Sequence, residues 1–284
     1  PNHKPAMIVA LSPFDGLCGF RRPAEAADLI EALGVDTLRP YADILRAHPE
    51  DKALREVLAA VLTAEPEAMA ATVTAAAAAA ARLAGTDSPY AADYAAYAKA
   101  ADSFPGDRGV IAAMLLNHVR LQPGEALYLG AGVPHAYLGG LGVEIMANSD
   151  NVLRCGLTPK HIDVPELLKI TDFTPLVDPR WPDEGSDFGH DFEVPVADFA
   201  LHSADLDAYR KPGQVAGRCG ARTSGRPYLV LCASGEVAVD VAGTVVELRP
   251  GRAAFVAARD AAFTLTGTGE TFLATVGDLG SAGR

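Results

Sequence analysis

Positive charge is in short supply. Lys and Arg number 24 against 36 Asp and Glu, a formal net charge of −12. That balance argues against nucleic acid as the main partner, because phosphate backbones are bound by basic surfaces. Cysteine is sparse as well. Cys18, Cys155, Cys219 and Cys232 are scattered, with no CxxC spacing, and they read as reduced thiols in a cytosol. No apolar run approaches a membrane span, so no membrane partner is expected. No basic segment followed by an apolar stretch marks secretion. What remains is ordinary for a globular protein: 49% hydrophobic and 21% charged residues over 284 positions, enough chain for one large domain or two smaller ones. A phosphorylated small molecule would need a local group of cations to overcome the negative field. Lys4, Arg154 and Lys160 are the candidates. The sequence leaves oligomeric state open.

The chain opens on Asn2-His-Lys-Pro5 and runs at once into an apolar strand, Met7 to Leu11, then a second, Gly16 to Phe20. Residues 23–116 read as a helical insert. Pro23 suits a first helical turn and Gly34 a stop. Leu54, Val57, Leu58, Val61 and Leu62 follow the spacing of one buried helix face. The seven-alanine run Ala75 to Ala81 predicts a helix packed close to a neighbour. Asp87-Ser-Pro-Tyr90 and Phe104-Pro-Gly-Asp107 read as breaks. Strands return over 117–160. A short helix follows at Pro165 to Ile170, with Asp163 as its cap. Residues 171–194, rich in Pro, Asp and Gly, read as a linker. From 195 to 284 the pattern is all β.

The stretch 117–160 carries the chemistry. Gly124, Gly130, Gly132 and His135 recur at a spacing close to the second metal-binding motif of the cupin barrels. Glycine permits the sharp turn, Pro134 stiffens it, and a neutral imidazole delivered there suits a divalent transition metal. A second copy of this module is visible downstream. Pro250-Gly-Arg-Ala-Ala-Phe-Val-Ala-Ala258 aligns without gaps on Pro123-Gly-Glu-Ala-Leu-Tyr-Leu-Gly-Ala131, with Phe255 on Tyr128. In that register Ala262 falls on His135. The expectation is a duplicated barrel whose second copy is structural.

The run Gly142-Val-Glu-Ile-Met-Ala-Asn-Ser-Asp-Asn-Val-Leu-Arg154, then Gly156-Leu-Thr-Pro-Lys160, closely resembles the type I mannose-6-phosphate isomerases. So do Gly132-Val-Pro-His-Ala-Tyr137, Asn2-His-Lys-Pro5 and Ser12-Pro-Phe-Asp-Gly-Leu-Cys-Gly-Phe20. The resemblance implies a mainly β fold, a double cupin (jelly-roll) barrel with an α-helical insert. The implied segments are 1–22 and 117–170 for the catalytic barrel, 23–116 for the helical domain, 171–194 for the linker and 195–284 for the second barrel. The implied reaction interconverts mannose 6-phosphate and fructose 6-phosphate with Zn2+, in the cytoplasm, by proton transfer through an enediol.

The same resemblance assigns roles. Arg154 matches the family's active-site arginine, Asp150 and Lys4 match positions proposed for proton transfer, and His3 one proposed for ring opening. Lys160 and Glu144 match pocket residues. Tyr137 either lines the pocket or packs under the bend. His135 matches a zinc ligand. The other implied ligands are a Gln and a His from an upstream strand and a Glu directly after Asn-His-Lys-Pro. No upstream Gln-x-His stands in this sequence, and Ala6 occupies the Glu position. The sequence thus reads as opening inside the catalytic barrel, with three of the four expected ligands absent. One imidazole does not hold zinc tightly, so little or no turnover is expected. The alternatives are a sugar-phosphate-binding cupin without catalysis and a structural barrel protein.

Overall fold

A computed structural model of the chain describes residues 3–182, 185, 188–223, 225–260 and 262–277. Asn2 and the outer ends of the 1–22 and 195–284 segments lie outside the described residues. Strands β1 (Ala6–Ala10) and β2 (Phe14–Phe20) lead into α1 (Pro23–Ala32), a 3-10 turn at Asp36–Leu38, α2 (Arg39–Ala47), α3 (Glu50–Thr63), α4 (Pro66–Leu83), α5 (Ala91–Ser103) and α6 (Gly109–Ala113). Strands return as β3 (Leu116–Leu121), β4 (Ala126–Leu129), β5 (His135–Gly139) and β6 (Gly142–Met146), followed by α7 (Val164–Ile170). The rest is β: β7 (Asp191–Phe192), β8 (Ala200–Asp205), β9 (Gly217–Arg222), β10 (Tyr228–Cys232), β11 (Val237–Val241), β12 (Thr244–Leu248), β13 (Ala253–Val256), β14 (Ala262–Gly267) and β15 (Glu270–Thr275).

Two compact units result. The larger takes in Lys4, Ile8–Val143 and Ser149–Trp181; the smaller is built from the described residues after Pro182 and includes Pro5–Met7 and Glu144–Asn148. In the larger unit the helices are shaped by their sequence. Leu54, Val57, Leu58, Val61 and Leu62 are all buried on α3. Each such side chain contributes about 1.5–3 kcal/mol of burial. The alanine run lies in α4, where Ala76, Ala79 and Ala80 are buried. Their methyls let another helix approach closely, and α5 is the neighbour. Gly34 takes φ +65° just past α1, the left-handed conformation that only glycine adopts cheaply. Asp163 caps α7 by accepting from the Glu166 amide at 3.1 Å. No single described helix is long and apolar enough to cross a membrane.

The strands repeat. The sheets are ordered β4-β1-β6 and β3-β2-β5 early in the chain, and β13-β10-β15-β8-β7 and β12-β11-β14-β9 late in it. So β1 and β10 each lie between equivalent strands, and so do β2 and β11. The register found in the sequence holds too. From the start of β4 at Ala126 to the start of β5 at His135 is the same spacing as from Ala253 to Ala262. In the second copy the two sheets share one core, including Val230, Cys232 and Leu273 from one and Val239, Phe263 and Leu265 from the other. There β11 and β12 are joined by Ala242 and Gly243, at φ +51° and +90°, with the Asp240 carboxylate accepting from the Gly243 amide at 2.8 Å. This is the tight hairpin turn that matches strand twist. Between β2 and β3 the same position holds the entire run α1–α6.

The Pro- and Asp-rich stretch after α7 is more tightly held than a free linker. The Leu176 amide donates to Phe20 O at 2.8 Å, and the Trp181 amide donates to Ala126 O at 2.8 Å. The Asn117 side-chain amide reaches Leu176 O at 2.9 Å.

Candidate functional site

His135 stands at the first position of β5, exposed, with Cys18 of β2 as its strand partner. Gly132, at φ +83°, makes the bend before it. A Cβ at that position would lie 2.7 Å from Ile170 O, so only glycine fits between the bend and the end of α7. The Asp172 amide then closes the bend by donating to Gly132 O at 3.0 Å. The His135 Nδ1 lies 2.9 Å from Val133 O. A carbonyl can only accept, so Nδ1 carries a proton, and in the neutral tautomer that this selects the lone pair is on Nε2. The ring of Tyr137 lies 6.0 Å from that of His135 and packs edge-on against Phe14 at 5.5 Å.

The N-terminal motif reaches the downstream one. Lys4 Nζ donates to Ser149 O at 2.6 Å across 145 positions of sequence. The Ala147 amide donates to Pro5 O at 3.0 Å. Lys4 therefore stands beside the turn that carries Asp150, where the Val152 amide donates to Asp150 O at 2.8 Å. His3 and Asp150 are exposed. Arg154 is half-buried, and among the described residues it forms no ion pair with Asp150 four positions earlier. Lys160 is exposed, its amide held by the Thr158 hydroxyl at 3.2 Å. Glu144 lies on β6, exposed, within the stretch that belongs to the smaller unit. The structure thus joins the Lys4 and Ser149–Asp150 segments directly.

The zinc implied by the resemblance does not fit the donors present. Among the described residues no group of three or more His, Cys, Asp or Glu could hold a metal ion. Ala6 is a buried methyl at the start of β1. Cys18, opposite His135, is buried, and desolvation pushes its thiol up to about 12, so it stays neutral and binds metal poorly. His135 alone offers one nitrogen where a closed zinc site needs about four donors.

Sequence reasoning missed Asp107. Its carboxylate accepts from the Gly109 amide at 2.6 Å and from the Leu157 amide at 3.2 Å. Phe104-Pro-Gly-Asp107 was legible only as a turn, and an Asp after Pro-Gly is too common in turns to signal a distant partner.

No protein-family model matches the chain. It is 33% identical over 275 residues to the mannose-6-phosphate isomerase of Escherichia coli, a match covering 95% of this chain and 65% of that protein. It is 31% identical over 321 residues to the mannose-6-phosphate isomerase of Emericella nidulans, covering 94% and 66%. The chain spans about 65% of the length of these relatives. Among solved structures, a point variant of phosphomannose isomerase from Salmonella typhimurium superposes with a TM-score of 0.84 at 31% identity, over 98% of this chain and 67% of that one. A zinc-bound mannose 6-phosphate isomerase gives 0.81 at 32% identity, with coverage of 98% and 67%. The fold is accordingly a double cupin with a helical insert. In sequence and in fold, the chain belongs to the mannose-6-phosphate isomerase family.

Proposed function

We propose that this chain carries the hexose-phosphate recognition and proton-transfer groups of an aldose–ketose isomerase, the reaction being interconversion of mannose 6-phosphate and fructose 6-phosphate. The observation that carries this is the Lys4–Ser149 hydrogen bond. It unites two segments that are far apart in sequence and that both match the family's site.

An isomerase of this kind moves a proton between C1 and C2 of the open-chain sugar. Lys4 and Asp150 are the groups assigned to that proton, and His3 assists ring opening. Arg154, planar and always charged, faces the developing enediolate or the phosphate. Lys160 meets the phosphate as a point charge, and remote binding of this group holds the reacting carbons in place. Glu144 and Tyr137 are the remaining residues that the resemblance assigns to sugar binding. A cytosolic setting is part of this reading, supported by the four free cysteines.

The donor set bears on rate. With Ala6 at the position where the resemblance places a Glu ligand, the reading is a chain that binds sugar phosphate and turns it over poorly. Calorimetry with mannose 6-phosphate tests the first half: binding is expected, and its loss in Arg154→Ala and Lys160→Ala. No heat from the unaltered chain overturns the reading. A coupled isomerase assay with added zinc tests the second half, and turnover at the rate of an intact family member would refute it.

A further inference from the structure

We propose that Asp107 is a positioning residue, through which the helical insert holds the loop carrying Arg154 and Lys160. The proposal rests on the sugar-phosphate reading of that loop. Its geometry stands independently.

The Asp107 carboxylate sits between two backbones. One oxygen, Oδ1, accepts from the Gly109 amide at 2.6 Å and from the Leu157 amide at 3.2 Å. Leu157 has φ +53°, a left-handed conformation that is strained for a leucine and persists only where surroundings hold it. The bond from its amide is such a hold. Beside it the chains touch backbone to backbone. A Cβ on Gly109 would lie 2.5 Å from Leu157 N and 2.7 Å from Gly156 Cα, and a Cβ on Gly156 would strike Gly109 Cα. Neither glycine can be replaced without parting the two segments.

The turn is itself anchored on the helical side. The Arg108 guanidinium donates to Leu62 O at the end of α3, and the Val110 amide donates to Asp107 O at 3.0 Å. The loop from Arg154 to Lys160 is thus set by the helices, through one carboxylate, as well as by the barrel strand that precedes it. Cys155 reports on this arrangement. It lies between Arg154 and Gly156, and burial, with a smaller push from the Asp107 charge, raises its thiol to about 12. A closed loop keeps it unreactive.

The experiment uses the full chain in five forms: unaltered, Asp107→Ala, Asp107→Asn, Gly156→Ala and Tyr94→Phe. Alkylation of Cys155 is followed by peptide mass spectrometry, and mannose 6-phosphate affinity by calorimetry. Asp107→Ala removes the acceptor, and both Cys155 alkylation and the dissociation constant should rise about tenfold, the size expected for losing one charged hydrogen bond. Asp107→Asn keeps an oxygen acceptor and should stay within about threefold on both. Gly156→Ala, which wedges the segments apart and leaves Asp107 in place, should match Asp107→Ala. Tyr94→Phe loosens the insert elsewhere, at the hydroxyl bond to Leu29 O, and should change neither reading. The proposal falls if Asp107→Ala labels at the unaltered rate. It also falls if Asp107→Asn labels as fast as Asp107→Ala, or if Tyr94→Phe does so. Should the unaltered chain bind no mannose 6-phosphate, the functional reading fails and the labelling comparison alone decides the role of Asp107.

Discussion

Arg21 Nη2 lies 2.5 Å from Asp93 Oδ1 and 2.9 Å from the Tyr97 hydroxyl, almost wholly out of water. The same side chain reaches Leu116 O through Nε at 2.9 Å and through Nη2 at 2.8 Å. One guanidinium therefore fastens the end of β2, the start of β3 and helix α5. Burial alone would lower its pKa, and the Tyr97 and Asp93 partners more than offset this, leaving it raised. Arg21→Ala should cost about 3–5 kcal/mol, because it strands a largely buried carboxylate. Chemical denaturation measures this. The double variant Arg21→Met, Asp93→Leu should recover most of the loss. If it is as unstable as Arg21→Ala, stranded charge is not the cause.

The metal question has a direct measurement. After dialysis against zinc and removal of excess, the chain should retain well under one zinc per molecule. Equimolar zinc should leave the melting temperature unchanged, since a ligand stabilises only in proportion to its affinity for the folded state. One tightly held zinc per chain, released by His135→Ala, would show that further donors join the imidazole.

Glu270 gives a pH signature in the second barrel. Desolvation raises its carboxyl above the usual range, the charge of His190 works the other way, and Asp205 opposite it on β8 adds to the rise. A raised folded pKa means the neutral acid is preferred in the fold. Its contribution is fully present below the ordinary carboxylate pKa and is lost as pH rises through the folded value. Glu270→Gln stays neutral throughout. It should melt higher than the unaltered chain at pH 7.5, and the gap should close by about pH 4. A gap that is constant across that range would exclude titration of this group.

The two copies of the barrel module differ at one edge. Strand β14 is flanked by β11 and β9, while β5 has β2 alone among the described strands. Backbone amides on an unpaired edge exchange faster with solvent. Those of β5 that do not face β2 should exchange well ahead of their counterparts in β14. Equal protection of the two strands would mean that β5 acquires a partner in solution, by association or otherwise.

Much of the fold was readable because local pattern and tertiary role coincide. The α3 spacing named five residues that are all buried. The all-β pattern read from 195 onward is there in the structure, β11 and β12 forming one of its hairpins. The gapless match of 123–131 with 250–258 extended, in the structure, to matching strand orders. The site was readable only through its long polar motifs, as a resemblance. What stayed hidden was whatever depends on partners far away in sequence. Nothing in the sequence around Arg21 signals burial, and it is a buried clasp. Asp107 looked like a turn former, and it bridges two chain segments. Arg154 and Asp150 stand four positions apart, but the segment is not helical, so the two side chains need not lie on one face.

The exchange of a two-residue turn for six helices also bears on the order of folding. Phe20 pairs with Leu116, so β2 and β3 meet only when everything between them has been gathered in. Closing the longer loop costs roughly 3 kcal/mol more than closing the short one, at about 0.6 kcal/mol per doubling of length. The β11–β12 hairpin can form within microseconds from local contacts. The β2–β3 pair must wait for the helices to condense and bring its ends together. In a refolding experiment with pulsed hydrogen exchange, protection should reach β12 before β3, although the two strands hold the same place in their sheets.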